Sequence, residues 1–183
     1  VLPDSVHFHL ANSSGIWNFK SWGLAPLTSL ARPGLSLYGV APYPGAPGAS
    51  SPGGLKPVLH LDARMALVRT VPAGQAVGYG ARFVARTATQ IGVLGLGYAD
   101  GMPRIWGARA GARVLIRGKS CPFAGTISMD LSAVRLPSSG VRAGDRATVI
   151  GPGLDIWKQA EAAGTVPYEL LTSIGARVKK IYV

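Results

Sequence analysis

The 183-residue chain has a single cysteine, Cys121, and only 8 acidic residues. One thiol excludes an intrachain disulfide framework and any cysteine-rich zinc site, and it fits a reducing, cytoplasmic setting. No uncharged apolar run reaches the roughly 20 residues of a membrane helix. Gly, Pro or Arg interrupts every candidate, so no membrane partner is expected. His7, His9 and His60 lack metal-ligand spacing with Cys or acids. His7 and His9 share a strand face but have no third partner, so metal catalysis is not expected. No Ser-His-Asp order, Walker loop or Cys-His pair stands out. There is no initiator Met, and Val1-Leu2-Pro3-Asp4 carries no signal-peptide pattern. The chain is therefore expected to start inside a longer protein.

What is present supports a folded chain. Hydrophobic residues make up 48% and charged residues 15%, with a mean hydropathy of +0.26. Such a composition can bury a core and excludes general disorder. The 19 Lys and Arg give a net charge of +11. A nucleic-acid surface is one reading of this excess. However, 13 of the cations are Arg, spread from Arg32 to Arg177, and the only adjacent pair is Lys179-Lys180. No RNA-type aromatic motif lies among them. A compositional bias with some preference for anionic ligands explains the charge better, and no nucleic-acid partner is expected.

Three zones follow one another. Residues 1–41 hold two strand candidates, Val6–Leu10 and Leu35–Val40, with a short helix expected between Ile16 and Leu30. That is the spacing of a parallel strand, crossover, strand unit. Residues 42–57, rich in Pro, Gly, Ala and Ser, predict a linker. Residues 58–183 predict a mainly β domain. Leu59, Leu61, Ala63, Met65 and Leu67 alternate with His60, Asp62 and Arg64, giving one buried and one wet face. Further strands are expected at 78–80, 82–84, 89–94, 113–117, 131–136 and 147–150, with a turn at Pro72-Ala73-Gly74. Gly-rich spacing suggests a barrel or sandwich, with short helices over 156–163 and 168–174.

Several segments could carry chemistry. Hydroxyls and backbone N–H groups at Asn12-Ser13-Ser14-Gly15, after a strand candidate, would suit a phosphate. An ordinary helix cap at Ser13 or Ser14 is the plainer account. Gly34, in Arg32-Pro33-Gly34-Leu35, would let a ligand approach the backbone, although Pro33-Gly34 also reads as a simple turn. Spacing alone favours the plainer account at both places. Tyr98, in Gly97-Tyr98-Ala99-Asp100-Gly101, could act as an acid/base or merely pack. Gly95-x-Gly97 is too short for a dinucleotide fingerprint. Met129, in Gly125–Asp130, reads by itself as a core residue, and Tyr168 as the start of a helix.

The ordered set is more specific than any member. It comprises His9–Ser13, Arg32-Pro33-Gly34 through Tyr38-Gly39, Val77–Gly80, Gly97–Gly101, Gly125 through Ser128-Met129-Asp130, Gly144-Asp145, and Tyr168-Glu169 through Arg177-Val178. Across nearly the whole chain it resembles the bacterial alanine racemase family. Departures are small: Met102 stands where a Tyr or other bulky residue is common, and Leu171-Thr172-Ser173 replaces a Cys-containing run.

The resemblance implies a mainly β C-terminal domain with short helices, preceded by the last two strands of a (β/α)8 barrel that binds pyridoxal 5'-phosphate (PLP). It implies two-base racemisation of alanine, D-alanine supply for peptidoglycan, and a head-to-tail homodimer sharing its active sites. By motif position, Asn12, Ser13, the Gly34-Leu35 backbone and Tyr168 would hold the phosphate, and Arg32 would meet the pyridine nitrogen. Tyr98 would be one catalytic base, acting on the partner's cofactor, and the Met129 N–H would take the substrate carboxylate. No Lys of the chain lies in the family's cofactor-lysine context, so the chain is expected to be inactive by itself. A racemase of broader or different specificity, such as serine, and a basic β-barrel nucleic-acid module remain alternatives. The related decarboxylases are disfavoured by the Gly97–Gly101 and Ser128-Met129-Asp130 motifs.

Overall fold

A computed structural model describes residues 5–26, 28–46, 54–137 and 140–183. The chain divides into two compact units, Val1–Leu59 and His60–Val183. Residues 47–53 of the expected linker and Val1–Asp4 lie outside the described residues.

In the first unit, β1 (Ala11–Asn12) and β2 (Ala31–Arg32) flank α1 (Ser13–Trp17). The strands pair in parallel, with Ala11 opposite Ala31 and Asn12 opposite Arg32. The strand, crossover, strand order is as expected, but the elements lie elsewhere. Residues 6–10 are not a strand, because their backbone groups bond to side chains and loop atoms. Leu10 N–H donates to Thr28 Oγ1 at 3.2 Å, and Phe8 O accepts from Ser29 N–H at 2.9 Å. Asn12, not Ser13 or Ser14, caps the helix: Gly15 N–H donates to Asn12 Oδ1 at 3.0 Å. The helix therefore begins at Ser13, before the expected Ile16. The expected strand Leu35–Val40 is a 3₁₀ turn over Leu35–Tyr38, closed by Gly39 at φ 70°. A Cβ at Gly39 would stand 1.6 Å from the Lys56 carbonyl oxygen, so only glycine fits there.

The second unit is mainly antiparallel β. Its long strand, β3 (Leu61–Val71), shows the expected alternation at Leu61, Ala63 and Met65. It then meets a bulge where Met65 and Leu67 face Leu94 and Val93. Just past the bulge, Leu67 is 48% exposed, so the anticipated alternation ends there. The remaining strands are β4 (Ala76–Val77), β5 (Phe83–Val84), β6 (Thr89–Leu94), β7 (Arg113–Ile116), β8 (Lys119–Pro122), β9 (Ser132–Arg135) and β10 (Arg146–Ile150). The strand expected at 78–80 is instead a 3₁₀ turn over Tyr79–Ala81, because Gly78 (φ 75°) and Gly80 (φ 70°) leave the extended region. Six form one sheet in the order β8-β7-β10-β3-β6-β9. A bridge between Phe123 and Val134 brings its two edges together, so the sheet is nearly closed. Strand β8 had no sequence signal. It exists because Arg117 (φ 50°) and Gly118 (φ 73°) make the tight two-residue turn that folds it onto β7.

Met65, Leu94, Ile116, Val134 and Val149 are buried inside this sheet's unit. Helix α2 (Ile156–Ala163) is capped by Asp155 and ended by Gly164 at φ 72°. Gln159, 3% exposed, staples it to the sheet. Its Nε2 donates to Arg113 O at 2.6 Å, and its Oε1 accepts from Arg113 N–H at 3.0 Å. Its backbone carbonyl accepts from Trp106 Nε1 at 3.0 Å. Helix α3 (Pro167–Thr172) starts on proline, one residue before the expected Tyr168. Among the described residues, no helix is long and apolar enough to cross a membrane.

Candidate active site

Two sets of the anticipated residues fall in the two units. In the second unit, Tyr98 opens a 3₁₀ turn, Tyr98–Asp100, just after β6. Its N–H donates to Ser128 O, and Ala99 N–H donates to Met129 O, both at 3.0 Å. The motifs carrying Tyr98 and Met129, 31 positions apart by numbering, are thus joined backbone to backbone. Gly97 permits the crossing. A Cβ there would stand 2.3 Å from Met129 O and 2.4 Å from Ser128 O, closer than any real contact. Tyr98 is 44% and Met129 51% exposed, so Met129 is not the core residue its isolated reading suggests. Among the described residues, the Met129 N–H donates to no other atom.

The Tyr98 turn is held from two further sides. Asp100, 8% exposed, accepts from Gly97 N–H through Oδ2 at 2.9 Å. Ser173 Oγ, just beyond α3, donates to Gly101 O at 2.9 Å. Arg177 reaches Asp100 Oδ1 at 3.4 Å and Asp130 Oδ1 at 2.6 Å. The hydrogen bond to Asp130, then the charge of Asp100, hold its guanidinium more firmly protonated than usual. A cleft of about 430 Å³ opens beside this turn, lined by Tyr98, Met102, Pro103, Thr165, Glu169 and Leu170. The Thr165 hydroxyl donates to the Glu169 carboxylate. Tyr168 stands on the first turn of α3 and is 43% exposed.

In the first unit, Ser13, Gly34 and Leu35 come together. Ser13 Oγ accepts from Gly34 N–H at 3.0 Å and from Ser36 N–H at 3.4 Å. Its own proton remains available to donate. No atom lies within 4 Å of where a Cβ would stand at Gly34, so there is open space beside it. The Ser36 hydroxyl oxygen is buried and lacks a hydrogen-bond partner. A buried orphan oxygen, the Ser13 hydroxyl proton and the Leu35 N–H suit a phosphate group, while the Gly34 and Ser36 N–H groups are taken by Ser13 Oγ. Asn12 is in the same segment: its side-chain oxygen serves the helix cap, and its amide nitrogen is the group that could donate to a phosphate. Arg32 extends from β2 and donates through one terminal nitrogen to the ring and the carbonyl of His9. His9, Asp100, Asp130 and Arg177 lie in the motifs, but sequence reasoning assigns them no role. For Asp100 and Asp130 a signal exists: carboxylates are scarce here, and two of the 8 acids sit inside the two motifs that meet.

These features first define a class: a nearly closed antiparallel β domain carrying a tyrosine turn, preceded in sequence by a parallel α/β unit. The family model described as the alanine racemase C-terminal domain matches residues 58–182. The chain belongs to the alanine racemase family. An alanine racemase of Methylobacterium sp. (strain 4-46) is 42% identical over 177 residues, which are 95% of this chain and 46% of that protein. The biosynthetic alanine racemase of Pseudomonas aeruginosa superposes with a TM-score of 0.84 at 38% identity, over 97% of this chain and 48% of that one. An alanine racemase of Bartonella henselae, solved with covalently bound pyridoxal phosphate, gives a TM-score of 0.84 at 34% identity over 100% of this chain and 48% of that one. The chain thus spans about half the length of the relatives it matches.

Proposed function

We propose that the protein containing this chain interconverts L- and D-alanine with PLP, supplying D-alanine for peptidoglycan in the cytoplasm. On this reading, residues 1–41 end an α/β barrel, 42–57 link, and 58–183 form the β domain. The protein works as a head-to-tail homodimer in which Tyr98 serves the partner's cofactor. The observation that carries the reading is the junction of the Tyr98 and Met129 turns, which puts an exposed phenol and a free N–H on two turns hydrogen-bonded backbone to backbone.

The Ser13 hydroxyl, the Leu35 amide, the Gly34 amide once released from Ser13 Oγ, the Tyr168 hydroxyl and Asn12 would hold the phosphate. Bound PLP supplies an electron sink for the pair left when the Cα proton departs. Arg32 would offer a guanidinium N–H to the pyridine nitrogen, a donor that does not hand over its proton. That limits charge build-up on the ring and disfavours transamination. The Met129 N–H receives the substrate carboxylate and fixes which face Tyr98 meets. Racemisation needs a proton acceptor on one face of Cα and a donor on the other, and Tyr98 takes one of these roles in each direction.

The test is Tyr98→Phe in the full-length protein. PLP binding should persist, because the phosphate contacts lie on other segments. Activity should fall about 10²–10⁴-fold. The fall in kcat/KM should be equal for L→D and D→L, because the equilibrium constant between enantiomers is unity. Exchange of the Cα hydrogen with solvent should survive better for the enantiomer that faces the other base. Near-normal racemisation would remove Tyr98 from the mechanism.

A further inference from the structure

Tyr98 and Met129 are each about half exposed, so side-chain packing does little to orient them. Their orientation comes from the two turns beneath them, and those turns meet a single cation. The Arg177 Nε reaches Asp100 Oδ1 at 3.4 Å, while its Nη2 donates to Asp130 Oδ1 at 2.6 Å. Asp100 is directly after Ala99 in the tyrosine turn, and its other oxygen receives the Gly97 N–H at 2.9 Å. Asp130 follows Met129 directly. The segment bearing Arg177 is itself tied down, with Gly175 N–H donating to Asp100 O at 3.3 Å.

We propose that Arg177 is a positioning residue: its planar fork clamps the turn bearing Tyr98 to the turn bearing Met129, and so sets the proton-transfer group against the carboxylate donor. Two different nitrogens engage two different carboxylates. A lysine, with one compact ammonium, can satisfy only one of them at that spacing. Deleting the fork leaves the backbone junction at 98–99 and 128–129 but frees the two carboxylates to move apart. The assignment rests on the reading of Tyr98 as a proton-transfer group and Met129 as the carboxylate donor. A purely structural role would instead secure the C-terminal segment and leave the geometry of the two turns alone.

The experiment uses the full-length PLP-loaded enzyme with 3-fluorotyrosine replacing Tyr98. Arg177→Met should lower kcat about 10–100-fold, the scale of a small misplacement of a reacting group. The ¹⁹F resonance at position 98 should broaden or split, while PLP absorbance stays unchanged. Arg177→Lys should recover part of the loss. Asp130→Asn, which keeps size and hydrogen bonding, should raise KM for alanine more than it lowers kcat, because it loosens the carboxylate side. It also keeps the test decisive if Arg177→Met folds poorly. A sharp, unshifted ¹⁹F signal in Arg177→Met, or a kcat loss that Arg177→Lys does not relieve at all, would overturn the proposal. The ¹⁹F signal also separates it from the functional reading. If Tyr98→Phe stays active while Arg177→Met disturbs position 98, the clamp stands and the catalytic role of Tyr98 falls.

Discussion

At the scale of single residues, Arg32 makes a sharp chemical forecast. Its guanidinium is already engaged with His9 through one nitrogen, so its fork is partly fixed before any ligand arrives. Replacing it with a carboxylic acid would let the pyridine nitrogen take a proton and would deepen the electron sink. Arg32→Glu in the full-length enzyme should racemise more slowly and transaminate faster, read as pyruvate released from alanine. Unchanged rates for both would mean that Arg32 does not face the ring. The residues of this neighbourhood were legible in the sequence, but their division of labour was not. In sequence Asn12 and Ser13 look alike as phosphate donors, but the Asn12 side-chain oxygen caps the helix through Gly15 N–H, so only its amide nitrogen could donate. Ser36, with its buried orphan hydroxyl, carried no signal, because a serine after Gly-Leu looks like any turn residue.

At the scale of elements, the turn over Arg142–Asp145 ties β10 to β3. Arg142 N–H donates to Asp145 Oδ2 at 2.9 Å, and Met65 N–H donates to Asp145 O at 2.8 Å. The Arg142 N–H, and then the Arg117 guanidinium, hold the Asp145 carboxyl below the usual carboxylate range. A carboxyl acidified by folding adds stability that is full above its unfolded value, about 3.9, and is lost as pH falls through the folded one. Asp145→Asn should therefore weaken the chain near neutrality and flatten its loss of stability below about pH 4. Urea midpoints measured against pH check this, and parallel curves for the two proteins would refute it.

Other elements show which parts of the fold a sequence can reveal. Strands β6, β7, β9 and β10 were legible because apolar residues alternate between clear turn residues. Helix α2 was legible to the residue, since Asp155 and Gly164 mark both ends. Strand β8 was not, because Lys119-Ser120-Cys121-Pro122 has no apolar period and is set by the Arg117-Gly118 turn. In the first unit the expected strand at 6–10 is missing because hydroxyl side chains at 28 and 29 bond the backbone groups a ladder would use, and the one at 35–40 gives way to a 3₁₀ turn that Gly39 closes.

At the scale of the whole molecule, the proposed reading gives the chain a tyrosine turn, a phosphate cradle and an arginine facing the ring, while none of its lysines lies in the family's cofactor-lysine context. Purified and mixed with PLP and L-alanine, it should form D-alanine no faster than free PLP does. Faster turnover, or a lysine-dependent absorbance band, would show that one of its six lysines holds the cofactor.

The pairing of β3 with β10 reaches further than stability. Thr148 Oγ1 donates to Asp62 Oδ1 at 2.8 Å across 86 residues of chain. On a ribosome, β3 and β6 can pair as soon as Leu94 has emerged, but the other edge of β3 stays open until Ile150 follows. At about 5–20 residues per second, that is a few seconds of exposed strand edge in every round of synthesis. Translation speed between these two points, and any chaperone that shields the open edge, should therefore govern the yield of native protein.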